Sequence, residues 1–188
     1  NSSLLSVASG GNHSAIASWL GRVNYAYKGK YLASVSFRAD GSSKFAKNNK
    51  WGYFPSAALG WRISEEDFMK DISWVQNLKL RASYGETGSQ AITAYQSLAS
   101  FSTTSYVLNG NSAVALVPGR VPNPDLKWEV KQTFNAGIEV ALLGNRLLLT
   151  ANYYNSKTKD MLYLYNVSVP PFTYNTLLAN IGSMRNYG

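Results

Sequence analysis

The chain has 188 residues, no Cys, one His, five Trp and a formal charge of +8, with 13% aromatic and only 15% charged residues. The missing cysteines exclude disulfide frameworks, thiol nucleophiles, zinc ribbons and Fe–S sites together, and so many aromatics at a charge fraction well below the roughly 25% of soluble domains argue against disorder. No stretch approaches the ~18 apolar residues of a membrane helix, which leaves a soluble domain or one that enters a membrane as strands.

The start carries no basic segment followed by an apolar core, so no secretory signal is read there. Trp19 to Tyr27 alternates as a first strand, and Lys28-Gly29-Lys30 reads as a tight hairpin. From Tyr31 to Asp40 the period is clean: Tyr31, Ala33, Val35, Phe37 and Ala39 oppose Leu32, Ser34, Ser36, Arg38 and Asp40. Gly41 to Lys50 is a polar loop. Trp51 to Ile63 is a noisier strand in which Pro55, lacking an N–H, predicts a bulge or the start of a strand. Between Ser64 and Asn77, Ser64 with Asp67 resembles a variant capping box, and Phe68, Ile72 and Val75 lie at helical spacing, so a short helix is expected.

Leu78 to Gly85 alternates again, with Leu78, Leu80, Ala82 and Tyr84 opposing Lys79, Arg81, Ser83 and Gly85. A very long connection follows, from Gly88 to Asp125. Lys127 to Val140 is the longest alternating run, setting Trp128, Val130, Phe134, Ala136 and Ile138 against Lys127, Glu129, Lys131, Asn135 and Glu139. Ala141 to Asn145 is tight, Leu147 to Tyr154 alternates, and Lys157 to Ala179 is long. The chain closes at Arg185-Asn186-Tyr187-Gly188, where a further strand begins, and it opens without Met, so it reads as a piece of a longer polypeptide.

Two patterns choose between the membrane and the soluble reading. Long and short connections sort to opposite ends, as in transmembrane barrels with extended outer loops and tight periplasmic turns; a sandwich has no reason for that sorting. Trp51 and Trp61 lie ten residues apart on one face, which is about 33 Å along a strand. At a tilt of about 40° this spans roughly 25 Å, the height of an apolar band between aromatic girdles. Trp19, Trp51, Trp61 and Trp128 are therefore expected in the girdles. The fold class expected is all-β: an antiparallel transmembrane β-barrel segment of six or seven strands with one short periplasmic-side helix.

Several stretches carry a family resemblance. They are Gly21-Arg-Val-Asn-Tyr-Ala-Tyr27, Phe37-Arg-Ala-Asp-Gly-Ser-Ser-Lys-Phe45, Asn49-Lys-Trp-Gly-Tyr-Phe-Pro-Ser56 and Gly60-Trp-Arg-Ile-Ser-Glu-Glu66. Asn77-Leu-Lys-Leu-Arg-Ala-Ser-Tyr-Gly85, Asn123-Pro-Asp-Leu-Lys-Trp-Glu129, Thr150-Ala-Asn-Tyr-Tyr154, Lys157-Thr-Lys-Asp-Met161 and Asn180-Ile-Gly-Ser-Met-Arg-Asn186 continue the series. In this order they resemble the SusC/RagA family of TonB-linked outer-membrane proteins. The resemblance implies a large barrel with a plug, a SusD-like surface lipoprotein as lid, energy from TonB, and import of glycans or peptides across the outer membrane of Bacteroidetes. Residues 1–188 would be an arc of the C-terminal half of that barrel, without the plug, the TonB-contacting segment or the remaining strands.

With the apolar face on outer-membrane lipid, the opposite face lines a polar lumen. Arg38, Asp40, Arg81 and Glu86 are expected near the extracellular end of their strands, as contacts for an oligosaccharide or peptide cargo. The competing role for such charges is a ladder of ion pairs that holds strand register and meets the plug. The long loop, with Tyr95, Phe101, Tyr106 and Leu116, is a candidate binding segment whose aromatics could stack on sugars or pack on a lid.

Lys44, Lys47 and Lys50 beside Phe45 and Trp51 form a basic loop at a girdle, so no nucleic-acid partner is inferred from it. Asp40-Gly-Ser-Ser43 has too few carboxylates for a calcium loop, no phosphate loop is present, and His13 has no partner constellation. No catalytic residue, metal or cofactor is expected. The rival readings are a soluble β-sandwich glycan-binding module with Trp51, Trp61 and Trp128 in its core, and a TonB-independent porin.

Overall fold

The structure, a computed structural model, describes residues 11–172 and 174–188. In chain order the strands are β1 (Ile16–Tyr27), β2 (Tyr31–Ser42), β3 (Trp51–Arg62), β4 (Val75–Ser89), β5 (Phe101–Leu108), β6 (Asn111–Pro118), β7 (Glu129–Leu142), β8 (Leu147–Lys159), β9 (Leu162–Asn166), β10 (Thr176–Asn180) and β11 (Ser183–Tyr187). Seven of them form one sheet in the order β1-β2-β3-β4-β7-β8-β11, and β5–β6 and β9–β10 are separate hairpins inside the two longest loops. All neighbours are antiparallel. The sheet is an up-and-down meander that remains an open arc, with β1 and β11 at its edges.

Side chains of one parity form an outward face. Cross-strand register aligns Tyr25, Ala33, Leu59, Ala82, Ala136 and Tyr153 in one row, and Tyr31, Trp61, Leu80, Ile138 and Ala151 in the next. No second sheet covers this face among the described residues: Trp19 is 73% exposed, Leu59 64% and Tyr53 59%. Each large apolar side chain left in water forgoes about 1.5–3 kcal/mol of burial, so a face of this extent requires an apolar medium. The sandwich alternative is thereby set aside. The opposite face carries Ser36, Ser56, Lys79, Arg81, Ser83, Asn135, Glu139 and Asn152, joined by cross-strand hydrogen bonds such as Ser36 to Ser56 at 2.6 Å.

The apolar band slides along the register. On β3 it ends at Trp61, which is aligned with Leu80, Ile138 and Ala151, whereas on β8 it continues four residues further to Leu147. A horizontal band across tilted, sheared strands has to drift this way.

At the short-turn end, Lys28 (φ 51°) and Gly29 (φ 67°) both take the left-handed conformation that closes the β1–β2 hairpin. The helix expected after Ser64 is not formed. Ile63–Glu65 and Asp67–Met69 are two 3-10 turns, broken at Glu66 (φ −75°, ψ 150°), with no side-chain cap at either. The Glu66 carboxylate is engaged elsewhere. Its Oε1 accepts from Tyr31 Oη at 2.7 Å and Trp61 Nε1 at 3.0 Å, and its Oε2 accepts from Lys30 Nζ at 3.0 Å. These three donors, Tyr31 first, hold Glu66 below the ordinary carboxylate range, and the Glu66 bond raises Lys30 above its usual value.

At the long-loop end the sheet parts. The β2–β3 ladder runs through Phe37 and Pro55 without a shift, but the β3–β4 ladder stops at Ser56 and Gly85. Pro55 is therefore neither a bulge nor a strand start; lacking an N–H, it sits one residue beyond the point where β4 leaves β3. A buried cluster of Phe45, Phe54, Ile92, Leu126 and Trp128 fills the parting.

Candidate functional site

The cluster gathers three loops. Phe45 comes from the 43–50 loop, and Ile92, Leu126 and Trp128 come from residues 90–128. Phe54 reaches them from the inner face of β3, and Leu162 and Leu178 of the β9–β10 hairpin pack alongside. The Trp128 ring lies 5.3 Å from Phe45 and 5.6 Å edge-on from Phe54, and its indole N–H donates to the Lys50 carbonyl at 3.0 Å. Glycines make the space. A Cβ on Gly88 would come within 2.0 Å of the Phe54 ring, and one on Gly52 within 2.5 Å. Glycine in a strand marks such close approaches.

Polar contacts complete the unit. Ser97 Oγ donates to Lys44 O at 3.1 Å, and Asn123 Nδ2 to Leu178 O at 2.8 Å. Asn180 Nδ2 donates to the carbonyls of Lys127 and Asp160, while its Oδ1 accepts from Lys127 N at 2.9 Å. Lys127 Nζ also pairs with Asp160 at 3.0 Å. Three loops far apart in sequence are thus one ordered rim at the mouth of the arc.

The expected site residues do not converge. Asp40 is buried on the inner face of β2 and holds Arg38 Nε at 2.7 Å, leaving the guanidinium half exposed beside the rim. Arg81 is on the inner face too, but it is aligned with Gly60 and Leu32, close to the short-turn end. Arg38 lies six residues further along β2 than Leu32, about 20 Å away. Arg81 lies across Gly137 to reach Asn152 Oδ1 at 2.5 Å and Glu139 at 3.4 Å, and Lys79 joins the same Glu139 at 3.7 Å. This is a register-holding ladder in the wall. Glu86 belongs to the outward row of β4, after Leu80, Ala82 and Tyr84, and accepts from Tyr84 Oη and Gln132 Nε2 at 2.7 Å each.

Among the expected girdle residues, Trp51 and Trp61 occupy opposite ends of the outward row of β3, and Trp19, aligned with Ala39 and Tyr53, stands near the Trp51 end. Trp128 differs. It precedes β7, is only 7% exposed and is wedged between two rings, so the loop cluster has taken it from the lipid face. Among the described residues no group of three or more His, Cys, Asp or Glu side chains could hold a metal. Sequence reasoning missed Phe45, Phe54, Ile92, Leu126 and Asn180, whose partners are tens of residues away. Gly52 and Gly88 in strands were the one local signal.

An antiparallel meander with an exposed apolar face, aromatic margins, a polar inner wall and long loops at one end only is an arc of a transmembrane β-barrel. Comparison with known proteins narrows this. The profile of the family described as TonB dependent receptor-like, beta-barrel, matches residues 8–188, and the chain belongs to that family. TonB-dependent receptor P26 of Formosa agariphila is 42% identical over 174 residues, covering 92% of this chain and 17% of the relative. TonB-dependent receptor SusC of Bacteroides thetaiotaomicron is 38% identical over 184 residues, covering 92% of this chain and 18% of SusC. The RagAB peptide importer in its closed-closed state superposes with a TM-score of 0.83 at 30% identity, over 93% of this chain and 19% of the matched chain. The chain is thus of the SusC/RagA type, an outer-membrane barrel segment spanning less than a fifth of the relatives it matches. The long-loop end is extracellular and the short-turn end periplasmic.

Proposed function

We propose that the protein carrying this segment imports an oligomeric nutrient across the outer membrane, powered by TonB, with a SusD-like lipoprotein covering its mouth. The observation that carries this reading is the ordered rim. The 43–50, 90–128 and 160–182 loops are cross-linked into one body around Trp128 and Asn180, as suits a mouth that must present a defined surface to cargo and lid. A porin needs no such roof, and the family match is to TonB-dependent receptors. The name of RagAB pairs this architecture with peptides; the mixed charges and amides of the inner wall suit either a peptide or an oligosaccharide. Transport moves cargo past a wall whose charges pair with one another, which keeps cargo contacts weak and reversible.

Within this reading, Arg38 is the cargo-side contact. Asp40 fixes its direction, and its guanidinium faces the lumen below the rim. Arg81 and Glu139 hold the wall, and no cargo contact is proposed for Glu86 on the outer face. The test is uptake of labelled oligosaccharide and peptide pools by cells carrying the full-length receptor, with and without TonB. TonB-dependent uptake of one pool that falls several-fold in Arg38→Ala supports the assignment. Uptake that persists without TonB contradicts the importer reading.

A further inference from the structure

Two of the extracellular loops enclose a pocket that the cluster around Trp128 does not fill. It has a volume of about 300 Å³, with walls from the 99–101, 118–122 and 171–172 stretches. Phe101, Pro122, Pro171 and Phe172 give it an apolar lining, and Ser100 and Arg120 are the polar side chains that reach it. Both rings are open to solvent, Phe101 at 69% and Phe172 at 38%.

Three contacts build the pocket. Gly119 N donates to Ser100 O at 2.6 Å, which draws together the two ends of the β5–β6 hairpin at its base. That approach needs a glycine, because a Cβ at 119 would come within 2.7 Å of Ser100 Oγ and 2.9 Å of Ser102 Oγ. Tyr174 Oη donates to Pro118 O and ties the loop carrying Pro171 and Phe172 to the same base.

The third contact aims a charge. Arg120 Nε donates to Ser100 Oγ at 3.0 Å. This fixes the guanidinium and leaves its two Nη groups side by side, the edge that holds a carboxylate through two parallel bonds. Among the described residues Arg120 pairs with no carboxylate. Its loop joins β4 to β7, both of them interior strands of the sheet.

We infer that this pocket binds the C-terminal residue of a peptide cargo, with the carboxylate on Arg120 and an apolar side chain against Phe101, Pro122, Pro171 and Phe172. The inference rests on the importer reading and narrows its cargo. The volume is at the lower end of the roughly 300–1,000 Å³ of ligand sites, which suits one residue rather than a longer piece. An acidic sugar would match the guanidinium too, but its ring hydroxyls need partners when enclosed. The walls offer prolines and rings instead, and Ser100 is already bonded to Arg120.

The test is binding of an N-terminally labelled tetrapeptide ending in leucine to the full-length receptor in nanodiscs. The free acid is expected to bind about tenfold more tightly than the same peptide with a C-terminal amide, the effect of a charge-assisted pair. Arg120→Gln is expected to erase that preference while leaving amide binding unchanged. Arg120→Lys is expected to restore only part of it, because an ammonium cannot make the parallel pair. Arg38→Ala is expected to leave the acid-to-amide ratio as in wild type. Oligogalacturonate is expected to compete at least about tenfold less well than the free acid. Absence of peptide binding, equal binding of acid and amide by wild type, a preference that survives in Arg120→Gln, or oligogalacturonate competing at parity would overturn the assignment. None of these measurements involves TonB. A receptor with TonB-dependent uptake and no preference for the acid loses this site alone, and one that prefers the acid but takes up cargo without TonB loses the importer reading.

Discussion

Trp61 and Glu66 are five residues apart, and the indole Nε1 of the first donates to Oε1 of the second at 3.0 Å. The same oxygen accepts from Tyr31, whose ring stacks on Trp61 at 6.4 Å and 13°. One carboxylate just past the end of β3 therefore satisfies the polar tips of two rings on the outward apolar face. Amphipathic rings at an interface need such a wet partner for their N–H or O–H. The arrangement also explains the broken turn at 63–69, because a helix there would carry the Glu66 side chain away from the girdle.

Glu66→Gln is expected to lower the unfolding temperature of the full-length receptor and shift Trp61 emission. Glu66 titrates below its ordinary 4.5, so its contribution is present above that value and is lost as pH falls through the lowered one. Lys30 titrates above 10.5, so its share is present below that value and is lost as pH rises through the raised one. The stability gap between wild type and Glu66→Gln should be flat between roughly pH 5.5 and 9.5 and close on either side. A gap that does not change with pH would show that the carboxylate charge is not what holds the rings.

Trp128→Ala is expected to loosen the rim while leaving the barrel formed. Removing a buried ring costs about 3–5 kcal/mol, here concentrated in the three loops that meet at the cluster. Protease added outside intact cells should cut the 90–128 loop much faster in the variant, with the heat-modifiable mobility of the barrel unchanged. Equal cleavage rates would mean that the cluster does not hold the loops.

Gly88→Ala tests the parting of β3 and β4. Its Cβ would overlap the Phe54 ring, and overpacking of this kind costs about 1–3 kcal/mol. Phe54→Ala made on top should recover most of the added loss, since residues in contact are not additive. Additive losses would contradict the contact.

The Arg81 ladder gives a fourth expectation. Glu139→Gln removes the negative charge shared by Lys79 and Arg81 and should lower stability slightly, by about 0.2–1 kcal/mol for partly exposed pairs. Cargo uptake should stay within about twofold of wild type. A large transport defect at unchanged stability would place this network in the cargo path.

Much of the wall was legible because a period of two, once one face is apolar, dictates which face each residue joins. Tyr31 to Asp40 and Leu78 to Gly85 are in that class, and both fall inside observed strands. Trp128 was misplaced because the alternation of β7 continues two residues beyond the strand, into a loop, where parity no longer reports on the lipid face. The helix after Ser64 was misread because Glu66 is committed to partners some 35 residues away. The level of Arg81 depends on register along a sheared sheet, which one strand does not show, whereas the outward parity of Glu86 continues that of Leu80, Ala82 and Tyr84 and was legible in the strand itself. The rim was illegible for a different reason. Phe45, Ile92 and Leu126 have no local period, and only their meeting makes them a core.

Lipid-depth quenching tests the orientation of the sheet most directly. In the full-length receptor reconstituted with lipids brominated on their acyl chains, replacing Trp19, Trp51 or Trp61 by Phe should each remove part of the quenchable emission. Replacing Trp128 should remove none, because its indole lies between Phe45 and Phe54. Quenching of Trp128 equal to that of Trp51 and Trp61, or quenchable emission that survives all three outward replacements undiminished, would contradict a sheet whose outward face meets lipid and whose loops close over Trp128.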